Sequence, residues 1–394
     1  MELAGVEVPI VWRGRRVQAF VPTRLADRDL ELDRETIIAI ARAQAAAEQG
    51  AETMPDDYAA LARLLLRAEG VASSFIEGVT APVIDIVIAE AAQAATGAGP
   101  SPAAWVAANL AAVSEAINDA HRSPHDNPLT AGTLCQWHRT LMTGSPMPVR
   151  YIGALRTEQG WIGGSSPLDA HLVTAPAERV PSLLDDLLAY INRGDVDAVS
   201  QAAIAHAQFE IIHPFADGNG RIGRVLIAWI LARRLSLVTP PPVSTRIAAD
   251  VGGYGAGLVL FRMGDHNAWV RWFALAVSGA GRAQQELVAA VERLHGEWRE
   301  RLGAQREGAR RLRSNAAAWQ VLDLLPRHLL ITAAIVASQL AIPLKSASAA
   351  LRDLVAAGIL VEHGSAVLNQ SGRPSRLYAS FELLGLTGSN PVRA

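Results

Sequence analysis

His213-Pro214-Phe215-Ala216-Asp217-Gly218-Asn219-Gly220-Arg221-Ile222-Gly223-Arg224 separates two strongly apolar runs. The pattern before it predicts a helix over 196–212, and the pattern after it predicts another over 219–235. Between them a histidine ends one helix, and a turn delivers a carboxylate and a Gly-Asn-Gly. Arg221 stands in the first turn of the next helix and Arg224 one turn later. Free N–H groups at a helix start attract anions, and glycines let phosphate oxygens approach the backbone. Two arginines three apart share a face and add bidentate donors. Asp217 is a hard oxygen ligand of the kind Mg²⁺ takes, and His213 is a base that titrates near neutrality. The stretch therefore combines a polyphosphate cradle, a metal ligand and a base.

Outward from this stretch the chain reads as mostly helical. Residues 1–30 suggest an irregular arm or a strand pair. Helices are expected over 35–49, 57–76, 82–95, 103–122, 130–143 and 180–192. Asp56 or Asp57 is a candidate cap for the second of these, and Gly78 a candidate left-handed stop after Glu77. Residues 146–174 carry glycines and short apolar pieces, the pattern of a small β-hairpin with loops. Residues 268–313 are mostly helical, and the later part, charged and poor in large apolar residues, suggests a connector. From 315 the pattern restarts: three short helices, then strand-like pieces at 358–362 and 375–380 around a Gly/Asn/Arg loop. That order matches a winged helix-turn-helix.

Composition narrows the classes. Half of the 394 residues are hydrophobic and 19% are charged, which excludes a largely disordered chain. The net charge of −2 argues against a chain basic throughout. The longest apolar run, 225–232, is far short of a membrane span, so no membrane role is expected. No early stretch resembles a signal peptide, and the single cysteine, Cys135, excludes an internal disulfide; a cytoplasmic setting is expected.

The run 213–224 resembles the signature of the Fic family, HxFx[D/E]GNGRxxR, and matches each of its fixed positions. A helical core over about 105–285 fits that family. The resemblance implies that His213 is the general base toward a target hydroxyl and that Phe215 anchors the loop. It implies that Asp217 holds Mg²⁺ against the phosphates, and that the Gly218-Asn219-Gly220 backbone forms the anion hole. Arg221 and Arg224 would contact the β- and γ-phosphates. Gly220 stands where the phosphorylating Doc branch has a lysine, which favours nucleotidyl transfer. Tyr254 falls where family members often carry a tyrosine near the nucleotide, and core or surface packing is the other reading of it.

Ser73-Ser74-Phe75-Ile76-Glu77-Gly78 resembles the family's inhibitory motif, [S/T]xxxE[G/N]. Ser73 and Glu77 are four apart and share a helix face. The resemblance implies that Glu77 pairs with Arg224 and blocks productive γ-phosphate binding, the class II arrangement. The segment 151–164, Tyr-Ile-Gly-Ala-Leu-Arg-Thr-Glu-Gln-Gly-Trp-Ile-Gly-Gly, is similar to the family's strand and flap. Leu155 replaces the usual aromatic, and Leu172-Val173-Thr174-Ala175-Pro176 departs from V-P-P-P. In the family an extended target segment pairs with the flap, with Leu168 or Leu172 as candidate clamps.

Other features point elsewhere. His121, His125 and His138 lack a Cys or carboxylate at ligand spacing and read as surface histidines. His206 reads as structural. Ser346, Ser348, Arg352, Arg373 and Arg376 give the winged helix a modest basic set, leaving DNA binding open beside dimerisation or target contact.

The expected organisation is an N-terminal arm with the inhibitory motif at 1–104, a Fic core at 105–285 with a small β-hairpin flap, a connecting helix at 286–314, a winged helix at 315–384 and a disordered tail at 385–394. The resemblance implies an autoinhibited protein adenylyltransferase. It would use ATP and Mg²⁺, modify a Ser, Thr or Tyr hydroxyl of a target protein and modify itself, with a homodimer or DNA as further partners. Two alternatives stand beside it: removal of AMP by the same site, and a DNA-binding regulator whose core only senses nucleotide.

Overall fold

In the computed structural model, residues 5–54, 59–95, 99–122, 128–304, 312–366 and 374–386 are described. The candidate caps Asp56 and Asp57, His125, Arg373 and the tail from 387 lie outside them.

The chain opens with an antiparallel hairpin of β1 (Val6–Trp12) and β2 (Arg15–Val21), the strand-pair alternative for the arm. Four helices follow: α1 (Arg34–Glu52), α2 (Ala59–Ile76), α3 (Val83–Ala95) and α4 (Pro102–His121). Asp33 caps α1 through Thr36 N–H, and Ser101 caps α4 with proline in its first turn. Gly78 lies at φ +75°, the left-handed stop that its position suggests. After α5 (Ala131–Leu141) the flap region is a two-residue pair, β3 (Trp161–Ile162) against β4 (Leu172–Val173).

The centre is α6 (Val180–Ile191), α7 (Ala198–Ile212) and α8 (Asn219–Arg234). Every residue of α7 is buried. A helix apolar all round has no solvent face to keep, so it sits in the middle, packed by α6, α8 and α11 (His266–Gly303). The 213–218 turn leaves that buried helix and enters α8, buried from Arg221 to Ala232. The 213–218 loop is therefore held between two core helices.

Three helices have no counterpart in the sequence reading: α9 (Val243–Ala249), α10 (Val251–Arg262) and α15 (Phe381–Leu386), the last of which carries helix two residues into the stretch expected as a disordered tail from 385. Glycines at 252, 253, 255 and 257 mask the helical pattern of α10. The later half of α11, read as a connector, buries Val288, Val291, Leu294, Trp298 and Leu302. These side chains share a second core with α12 (Ala317–Leu324), α13 (Ala333–Leu340) and α14 (Leu344–Ala356). Leu61 and Leu64 of α2 and Val87 of α3 join the same core. Three strands complete this end: β5 (Leu330–Ile331), β6 (Val361–Ala366) and β7 (Ser375–Ala379), antiparallel in the order β5-β7-β6, before α15 (Phe381–Leu386). Among the described residues no single helix is long and apolar enough to cross a membrane.

Candidate active site

The turn after α7 is built by its own side chains. His213 sits at φ +53°, and its N–H donates to Phe209 O at 2.8 Å. A non-glycine residue in that region costs of order 1–3 kcal/mol, held only where the surroundings fix it. They do so here: Asn219 Oδ1 accepts from Phe215 N–H and Asn219 Nδ2 donates to Phe215 O, both at 2.8 Å. The Asn219 side chain is thus spent on bracing the turn. Phe215 is fully buried as its anchor.

His213 Nδ1 lies 3.2 Å from Glu210 O. A carbonyl only accepts, so Nδ1 carries the proton and Nε2 keeps its lone pair. Burial pushes the imidazole down to about 4, which keeps it neutral at ordinary pH. A neutral ring with Nε2 unprotonated has the form of a general base.

Gly218, at φ +77°, starts α8 with no side chain capping it. The first N–H groups of the helix thus lack intrahelical partners. Asp217 is exposed; its Oδ1 accepts from Gly218 N–H at 2.6 Å, and its Oδ2 lies 4.0 Å from Arg221 Nη2. Arg221 is buried, and its Nε meets no hydrogen-bond partner among the described residues. Arg224 is 1% exposed, and α2 occupies its guanidinium. Its Nε donates to Ser73 Oγ at 2.9 Å, and its Nη2 donates to Ser73 O at 2.8 Å and to Glu77 Oε1 at 2.7 Å.

α2 is fixed along its length. Glu69 accepts from Ser244 N–H at 2.8 Å and from the Ser244 hydroxyl. Asn109 Nδ2 donates to Gly70 O at 3.0 Å and to Ser74 Oγ at 3.1 Å. A Cβ at Gly70 would stand 2.5 Å from Leu110, so only glycine lets α2 and α4 approach this closely.

Two cavities meet at Glu77. One, of 450 Å³, is lined by His213, Gly220, Arg224, Glu210, Tyr254 and Leu172. The other, of 520 Å³, is lined by Asp217, Arg221, Trp105, Met142 and Met147. The structure thus gathers His213, Asp217, Gly220, Arg221, Arg224, Glu77 and Tyr254 around one pair of cavities. Tyr254 is buried, with its hydroxyl 2.9 Å from His206 Nε2, and its ring reaches the first cavity. Leu172 lines that cavity, whereas Leu168 is exposed.

Three residues escape the sequence reading. His138, read there as a surface histidine, is fully buried. It follows Leu134 by four and precedes Leu141 by three, a core stripe that marks it as inward-facing. Arg156 donates to His213 O at 2.7 Å, Glu158 O at 2.9 Å, Thr174 Oγ1 at 3.0 Å, Ala175 O at 2.6 Å and Ile212 O at 3.2 Å. Its backbone N–H donates to Pro214 O at 2.8 Å. It clamps the segment around residues 156–175 to the carbonyl of His213. Glu210 is a carboxyl inside an apolar helix, pushed up to about 8 by burial. Its place in Phe209-Glu210-Ile211-Ile212 is the signal that could have found it.

Residues 128–231 match the model of the Fic/DOC family, and this segment is a Fic/DOC domain. Protein adenylyltransferase fic-1 of Caenorhabditis elegans is 31% identical over 153 residues, 38% of this chain and 27% of that protein. Probable protein adenylyltransferase aq_aa38 of Aquifex aeolicus (strain VF5) is 44% identical over 57 residues, 14% of this chain and 18% of that protein. The chain thus spans about a quarter or less of the length of these relatives. In a crystal structure, a Fic family protein from Desulfovibrio desulfuricans G20 shares the fold, with TM-score 0.54 and 21% identity over 89% of this chain and 97% of that one.

Proposed function

We propose that this chain is an autoinhibited protein adenylyltransferase. The observation that carries the reading is the convergence of an Nε2-free imidazole, an uncapped helix start and two arginines around two cavities that meet at Glu77, with Glu77 on the inner arginine. The target hydroxyl, from Ser, Thr or Tyr, attacks the α-phosphorus of ATP. His213 Nε2 takes its proton. The bond from the α-phosphorus to the α,β-bridging oxygen breaks, and pyrophosphate leaves with that electron pair. Backbone N–H groups of 219–221 face the polyphosphate charge, as do Arg221 and, once Glu77 withdraws, Arg224.

Among the described residues no cluster of three metal-ligating side chains exists. Asp217 offers one carboxylate, which suits Mg²⁺ arriving with a nucleotide, because that ion commonly takes one or two carboxylates plus substrate phosphates. Bound there, it would neutralise phosphate charge. Residues 315–384 we read as a winged helix. Arg376 is paired to Glu362 at 3.5 Å, and both side chains are exposed, so this weak pair leaves DNA and protein contact equally open. The single cysteine suits a reducing, cytoplasmic setting.

The test incubates wild type, Glu77→Gly and Glu77→Gly/His213→Ala with [α-³²P]ATP and Mg²⁺, alone and with cell lysate. Labelling of protein strongest in Glu77→Gly, on itself or on a lysate protein, and absent in the double variant is the expected result. ATP binding with no labelled protein in any variant would sink the transferase reading and leave nucleotide sensing.

A further inference from the structure

We infer that His138 is a positioning residue that sets the place of Asp217 and of the loop carrying it. The inference rests on the nucleotide-binding role proposed for that loop. His138 lies on α5, and its ring stacks on Phe215 with centroids 4.2 Å apart and planes 6° apart. Its Nδ1 is 2.8 Å from Gly153 N, and its Nε2 is 3.0 Å from Asp217 O. The amide of Gly153 can only donate, so Nδ1 accepts. Nε2 then carries the proton and donates to the carbonyl of Asp217. Each ring nitrogen thus holds a different wall of the site.

Among the described residues, the next bond between those walls lies further along. Residue 153 begins the segment that reaches Arg156, whose N–H holds Pro214 O at 2.8 Å. Gly153 lies at φ +66°, and a Cβ there would stand 2.3 Å from Arg139 Cγ and 2.9 Å from Cys135 O. The segment is therefore pressed flat on α5, tied by His138 at the Gly153 amide and by Arg139 Nη2 at the Gly153 carbonyl, 3.4 Å away. On the other side, the carbonyl of Asp217 has its side chain exposed to the cavity of 520 Å³. The carboxylate needs its backbone fixed if it is to meet a ligand in one place. His138 Nε2 is the side-chain bond that fixes that carbonyl. His213 is held separately, through Arg156 and Glu210. His138 thus governs binding through Asp217, while the base keeps its own supports.

Three substitutions separate the two bonds. His138→Gln places an amide donor near the Nε2 position. His138→Asn places an acceptor near the Nδ1 position. His138→Phe keeps volume and stacking and loses both. Each is made in the Glu77→Gly background. Calorimetry with a non-hydrolysable ATP analogue and Mg²⁺ reads binding, and label transfer reads KM and kcat. Loss of a residue that orients a ligand group typically costs 10–100-fold. His138→Asn and His138→Phe should weaken Mg²⁺-nucleotide binding about tenfold, with kcat within about threefold, and His138→Gln should recover most of the binding. ¹⁵N histidine spectra should assign the proton to Nε2 in the parent. Binding equal to the parent in His138→Phe would overturn the inference, as would losses in all three variants that follow their melting temperatures. The calorimetric arm stands even if no label is transferred, so failure of the transferase reading stays distinguishable.

Discussion

Glu77 Oε1 lies 2.7 Å from Arg224 Nη2, although 147 residues separate them in sequence. The guanidinium is 1% exposed and the carboxylate 36%, so one partner is desolvated and the other is partly wet. Truncating one member of a buried charge pair costs ~2–5 kcal/mol in interfaces, and the wet carboxylate places this pair at the low end. About 2 kcal/mol of restraint corresponds to roughly thirtyfold. Glu77→Gly should therefore raise the rate of label transfer about thirtyfold. An equal rate in wild type and variant would remove Glu77 from control of the site.

Gly220 stands directly beneath that pair. A Cβ there would lie 2.1 Å from Glu77 Oε1 and 3.2 Å from Arg224 Nη1. The obstructed atom is the far end of a flexible side chain, so Glu77 swings away while the backbone stays. Gly220→Ala should thus unseat Glu77 without unfolding the chain. Hydrogen exchange at 73–78 should quicken in Gly220→Ala while α7 keeps its protection. Unchanged exchange at 73–78 would mean that the pair tolerates the methyl.

How much of this was legible follows from how local each cause is. The 213–224 run could be read because its glycines, carboxylate and arginines act over one turn and one helix start. The pairing of Glu77 with Arg224 is not local, and only the resemblance of 73–78 to a family motif pointed to it. α10 was lost because four glycines at 252, 253, 255 and 257 suppress helix propensity, while burial of Tyr254, Gly257 and Phe261 restores the helix. His138 was misplaced by judging histidines as candidate ligands instead of by their position on the Leu134–Leu141 stripe. The burial of Trp298 and Leu302 depends on α12 and α15 packing back on α11, which no window of sequence contains.

Arg156 is the next test of the scaffold. Its guanidinium meets five acceptors, three of them on residues 174, 175 and 212, deep beside the base. A buried acceptor left unsatisfied costs ~1–3 kcal/mol. Arg156→Ala should lower stability by at least ~3 kcal/mol and abolish transfer. Arg156→Lys keeps the charge but not the planar fork, so it should recover only part of the stability and little of the rate. Denaturant unfolding and label transfer on the two variants measure this. Full recovery of both by lysine would show that charge alone is needed.

The buried ionisable groups around Arg224 set opposite slopes of stability against pH. Burial holds His213 at about 4 and His206 at about 3, both below the ordinary 6.5. Their contribution is present above 6.5 and falls as pH drops, because the unfolded chain takes up the protons first. Glu210 runs the other way. Burial raises it from 4.5 to about 8, so its contribution is complete below 4.5 and is lost as pH rises through 8. Glu69, also raised by burial, adds to that alkaline side. Each group contributes at most roughly 1.4 kcal/mol per pH unit. Between 6.5 and 4.5 the three buried histidines, His213, His206 and His138, which burial also lowers, outweigh Glu210 and Glu69, so stability falls toward acid. Between 6.5 and 8 the carboxyls act alone, so it falls toward alkali. The melting temperature of wild type should therefore peak near pH 6.5. In Glu210→Gln the alkaline decline should flatten and the acid decline steepen, by a few degrees each between pH 5 and 8. A parallel shift of the whole curve, with no change of shape, would mean that Glu210 is already ionised in the folded protein at neutral pH.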